Sequence, residues 1–88
     1  MSEPQQYQAA IYVTLKPVVN DPQGLAIADG LRHLGYNSVA SVRAGKYIVV
    51  TLSARDRQEA GRLVDEMCAR LLANPVIEDY RFEISAKQ

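Results

Sequence analysis

The sequence predicts a single α+β domain, a ferredoxin-like βαββαβ sandwich in which two helices cover one face of an antiparallel sheet. Four runs with strand character, most of them alternating apolar and polar residues, are interleaved with two runs that carry apolar residues at helical spacing, in the order β-α-β-β-α-β. At 88 residues, 48% hydrophobic and 23% charged, the chain has the size and composition of one small globular domain.

The first strand spans residues 7–16, where Ile11, Val13 and Leu15 point one way and Ala10, Tyr12 and Thr14 the other. Pro17 ends it. Asp21 is placed to accept the free N–H groups of a helix whose first position is Pro22. Leu25, Ala28, Leu31 and Leu34, with Ile27 beside them, carry that helix over residues 22–34, and Gly35 suits its left-handed cap. Residues 38–43 and 46–53 are strand-like, and Ala44-Gly45 between them predicts a β-hairpin. In the second helix Ala60, Leu63, Val64, Met67, Cys68, Leu71 and Leu72 form one unbroken stripe. Asp56 and Glu59 resemble a capping box at its start, and Asn74-Pro75 stops it. Tyr80, Phe82 and Ile84 then alternate with Asp79, Arg81 and Glu83 in a last strand. Paired in the usual way of this fold, the strands take the order 4-1-3-2. Residues 1–6 read as a polar N-terminal tail, 7–85 as the domain and 86–88 as a C-terminal tail.

Ten basic residues balance ten acidic ones, which removes the electrostatic reason to expect nucleic acid or an anionic membrane as partner. No stretch is long and apolar enough to span a bilayer, and the opening Met-Ser-Glu-Pro-Gln-Gln lacks a signal-peptide pattern, so a cytoplasmic location is expected. Cys68 is a single cysteine on an apolar helix face, and His33 has no histidine or cysteine at ligand spacing, so neither a nucleophile nor a metal site is expected. Asp65-Glu66 and Glu78-Asp79 read as solvated carboxylates, and no phosphate-cradling glycine loop is present. Outward-facing Tyr12 and Tyr47 would suit RNA stacking, but the strand around Tyr47 lacks the glycine and phenylalanine pattern of such domains. No catalytic residue and no cofactor of the chain's own is expected.

The segments Tyr12-Val13-Thr14-Leu15-Lys16, Asp21-Pro22-Gln23-Gly24, Leu34-Gly35-Tyr36, Val42-Arg43-Ala44-Gly45-Lys46-Tyr47 and Leu72-Ala73-Asn74-Pro75-Val76-Ile77-Glu78-Asp79-Tyr80, in this order, resemble PurS, the small subunit of phosphoribosylformylglycinamidine synthase. The resemblance runs over residues 7–84. It implies a non-catalytic subunit of an ATP- and glutamine-dependent ligase of purine biosynthesis. The assembly converts formylglycinamide ribonucleotide to formylglycinamidine ribonucleotide with ammonia taken from glutamine. The implied partners are a large synthetase of PurL type, which uses ATP and Mg, and a glutaminase of PurQ type, with the small subunit helping to join them. An ACT-like sensor of small molecules is the alternative for this strand order, although such domains usually sit beside an enzyme domain in the same chain.

The expected topology brings residues 16–24, 43–46 and 74–79 to one end of the sheet and leaves residues 34–37, 53–56 and both termini at the other. Asp21, Arg43, Lys46, Asn74, Glu78 and Asp79 are therefore the expected partner-binding residues, with Arg43 and Lys46 supplying charge complementarity. The sheet face without helices carries Tyr12, Tyr47 and Val49, and its apolar character predicts a homodimer or a dimer of dimers.

Overall fold

Tyr7, Ala9, Ile11 and Val13 alternate along one strand, and their shared side is the centre of the core. In the computed structural model, which describes residues 3–87, this strand, β1 (Gln5–Leu15), is flanked by two antiparallel neighbours, β2 (Gly45–Ala54) and β3 (Glu78–Ala86). The order is β2-β1-β3. Two helices separate the strands, α1 (Pro22–His33) and α2 (Arg57–Met67), the second running on into a π-helical turn over Cys68–Leu72.

The helix α2 lays its apolar side on the sheet. Val64 and Cys68 are buried against Ala9, Ile11 and Val13, while Ala60 packs with Tyr7 and Ala54. Burying a side chain such as Ile11 or Val64 contributes about 1.5–3 kcal/mol. Asp56 caps α2 as its spacing implies, while Glu59 reaches back one residue beyond the cap. Asp56 accepts the N–H of Glu59 at 2.7 Å, and the Glu59 carboxylate accepts the N–H of Arg55 at 2.9 Å.

The α+β class and the antiparallel order of three strands agree with expectation, and four details differ. Residues 38–43 form no strand, so there is no hairpin at Ala44-Gly45. A strand needs a neighbour, and this segment runs back along α1 instead: the Arg32 guanidinium donates to the carbonyls of Val39 at 3.1 Å and Ala40 at 3.0 Å. Second, α1 does not cover the sheet. Neither core cluster contains a residue from it. The molecule measures 59 × 29 × 14 Å with a radius of gyration of 17.1 Å, against about 12 Å for a compact chain of this length. Residues 22–43 thus form an arm projecting from the end of the sheet, with residues 34–37 at its tip rather than at the opposite end. Gly35, at φ 101°, makes the turn there.

Third, the stripe of α2 is interrupted. The N–H of Ala73 bonds the carbonyl of Cys68 at 3.0 Å, the wider spacing of a π turn. The extra residue shifts the helical phase, so Leu71 turns outward while Ala73 is buried. Fourth, at the far end, β1 begins at Gln5, paired with Ala54, and β3 reaches Ala86, so residues expected in both tails belong to the sheet. Residues 1–2 and 88 of those tails lie outside the described residues.

Candidate docking edge

Three loops meet where β1 ends and β2 and β3 begin, as the topology implied. The N–H of Lys16 donates to the carbonyl of Ile77 at 2.8 Å and joins the first loop to the third. Asp21 joins the first to the second. It is buried, and its carboxylate accepts the N–H of Gly24 at 2.9 Å and that of Ala44 at 2.7 Å. Those two bonds, with the Arg43 guanidinium nearby, hold its carboxyl below the usual carboxylate range. Gly24 is required at this join, because a Cβ there would collide with the carbonyl oxygen of Val42.

Each expected partner-binding residue is at this edge, but they divide by use. Asp21 and Arg43 are committed to the loops themselves: Arg43 donates to the carbonyls of Lys16 and Val19, both at 2.9 Å. Asn74 accepts the N–H of Val76 at 3.1 Å, and its own N–H donates to the Glu78 carboxylate at 2.7 Å. Two ion pairs complete the edge, Lys16 with the exposed Asp79 at 2.9 Å and Lys46 with the mostly covered Glu78 at 3.7 Å.

Sequence reasoning missed the apolar part of this edge. Val18 is 94% exposed, Val76 78% and Leu71 83%. Val18 and Val76 directly follow Pro17 and Pro75, in stretches that satisfy no strand or helix periodicity, and that was the available signal. Leu71 gave none, since only the π turn takes it off the core stripe. Exposed aliphatic side chains and ion pairs at one end of the sheet have the make-up of a protein-binding patch.

On the uncovered sheet face Tyr12 and Tyr47 are cross-strand partners, with ring centroids 5.2 Å apart, and the Arg81 guanidinium lies 4.1 Å above the Tyr12 ring. Tyr47 and Val49 are exposed. No group of three or more metal-ligating side chains occurs among the described residues. Burial pushes the Cys68 thiol up, away from a reactive thiolate, and Asp65 adds to the effect. His33 lies on the exposed arm, its Nδ1 2.8 Å from the carbonyl of Asp29. The edge is built to hold shape and present a surface. It carries no nucleophile–base pair.

The model of the PurS family, described as phosphoribosylformylglycinamidine (FGAM) synthase, matches residues 8–86. The chain belongs to the PurS family. It is 55% identical over 80 residues to the PurS subunit of phosphoribosylformylglycinamidine synthase from Synechocystis sp., covering 91% of this chain and 80% of that one. With the Bacillus subtilis PurS subunit it shares 50% identity over 78 residues, 89% and 92% of the two chains. A crystal form of B. subtilis PurS superposes with a TM-score of 0.79 at 49% identity, covering 90% of this chain and 98% of that one. A chain in a structure of PurLQS from Thermotoga maritima superposes with a TM-score of 0.81 at 33% identity, covering 93% and 98%. PurS is thus a small subunit of the FGAM-forming ligase of purine biosynthesis, and the resemblance read from the motifs is the correct one.

Proposed function

We propose that this PurS chain docks the synthetase and the glutaminase through its three-loop edge and contributes no catalytic group of its own. The observation that carries this reading is the pairing of exposed Val18, Leu71 and Val76 with the Lys16–Asp79 and Lys46–Glu78 ion pairs at one end of the sheet. Ammonia release from glutamine and the ATP- and Mg-dependent step belong to the partners of PurQ and PurL type, and the complex works in the cytoplasm. The T. maritima PurLQS assembly among the relatives supports this choice of partners. Burying the aliphatic side chains would supply affinity, while the ion pairs set orientation.

Immobilised chain, offered the two partner proteins with glutamine and ADP, tests the reading. The native edge should retain both partners, and Val18→Asp/Val76→Asp should retain neither while keeping its circular dichroism spectrum. Equal retention by the two would place docking elsewhere.

A further inference from the structure

The buried positions of α2 recur every fourth residue, at Ala60, Val64 and Cys68, and the next one is Ala73, five residues on. The N–H of Ala73 bonds the Cys68 carbonyl across that wider step at 3.0 Å. One residue more than an α turn holds is therefore accommodated on the solvent side, where Ala69, Arg70 and Leu71 are all exposed. The exit loop cannot absorb the surplus. Asn74 donates its N–H to Glu78, the Ile77 N–H bonds the Asn74 carbonyl at 3.1 Å, and the Ile77 carbonyl accepts from Lys16 at 2.8 Å. Both sides of the turn are thus fixed, Cys68 and Ala73 in the core and the loop behind them on the end of β1. The core does not require the extra residue, since Leu72 is the leucine of this turn that packs on the cluster. Leu71 is what the turn adds, and it is 83% exposed.

We propose that the π turn is a positioning device: its extra residue sets Leu71 at the angle where the partner protein seated on Val18 and Val76 covers it. This inference rests on the docking reading above. The occupant is that same partner because the Lys16–Ile77 bond ties the loop carrying Val18 to the loop carrying Val76, and the turn leads directly into the latter. The wider turn is an uncommon form that recurs at functional sites.

Leu71 and Leu72 are adjacent and identical, so deleting either gives the same chain, Cys-Ala-Arg-Leu-Ala. The remaining leucine then stands where Leu72 packs, and Ala73 closes an ordinary α turn on Cys68. This deletion should keep the circular dichroism spectrum and melt no lower than the native chain. Immobilised, and offered the PurL-type and PurQ-type proteins with glutamine and ADP, it should bind roughly tenfold or more weakly. Leu71→Ala, which keeps the turn, should lose a similar amount. Arg70→Leu added to the deletion returns an exposed leucine in α phase and should leave binding short of the native level. A deletion that binds as the native chain does, or that melts lower, would overturn the proposal, as would full recovery with Arg70→Leu. Val18→Asp/Val76→Asp separates the two readings. Native retention by that variant removes the docking edge itself, whereas its failure beside a fully binding deletion removes only the role of the turn.

Discussion

The Asp21 carboxylate accepts the backbone N–H of Ala44 at 2.7 Å across a separation of 23 residues, while it also caps α1 through Gly24. One side chain therefore sets the helix start and fixes where the arm joins β2. Without it, two N–H groups at the docking edge lose their acceptor, and leaving such donors unpaired is what makes the loss costly.

Asp21→Ala should lower the melting temperature by about 5 °C or more at neutral pH. Because the folded carboxyl titrates below its ordinary value of 3.8, its stabilisation is complete above that value and is lost as pH falls through the lower, folded one. Thermal melts of the native chain and Asp21→Ala should therefore converge in acid. A constant difference down to the lowest pH would refute the assignment.

The two glycines of α1 should respond in opposite directions. At Gly24 an added Cβ meets the Val42 carbonyl and comes within 2.8 Å of the Asp21 carboxylate, whereas at Gly30 nothing lies within 4 Å. Gly24→Ala should destabilise the chain. Gly30→Ala should stabilise it by about 0.5–1 kcal/mol through helix propensity. Urea unfolding of the two variants measures both signs.

Tyr80 donates its hydroxyl to the Asp65 carboxylate at 2.6 Å, and that bond pushes its pKa up to about 12. The raised value means the contribution is present below the ordinary tyrosine range and lost as pH climbs toward 12. Difference absorbance at 295 nm between the native chain and Tyr80→Phe should show a tyrosine that ionises well after the others. In Asp65→Asn its midpoint should move down, and a Tyr80 midpoint at the ordinary value in the native chain would contradict the contact.

Where pattern and partner lie close together, the sequence was legible. Alternation in β1 identified its buried side, the Asp56 and Glu59 spacing identified the cap of α2, and chain direction alone gathered Asp21, Lys46 and Glu78 at one end. What escaped depends on long-range supply. Residues 38–43 have the composition of a strand, but composition cannot say whether an edge is available, and here Arg32 holds the segment to α1. The apolar stripe of α1 was assigned to the sheet, yet a stripe shows only that a helix needs a cover, and α1 contributes to neither core cluster. Leu71 was misread as core because an unbroken heptad-like pattern cannot reveal an added residue at the π turn. Arg43 read as a free charge for a partner, yet its guanidinium is taken by two carbonyls of its own chain.

Lys46→Glu should therefore be the cleaner probe of electrostatic docking than any change at Arg43. It places like charges opposite each other at the Glu78 pair, which lies 3.7 Å away in the native edge. Association with the partners should slow and lose salt dependence, with the melting temperature nearly unchanged. Stopped-flow binding at two ionic strengths reads the effect, and an unaltered salt slope would remove Lys46 from the interface.

Glutamine-dependent FGAM synthesis by the reconstituted complex tests the central claim most directly. The native chain should show no glutaminase or ATPase activity alone, yet restore glutamine-dependent synthesis when added to the PurL-type and PurQ-type proteins. Val18→Asp/Val76→Asp should fail to restore it while ammonia-dependent synthesis by the synthetase persists. Full glutamine-dependent activity with that variant would contradict docking through this edge.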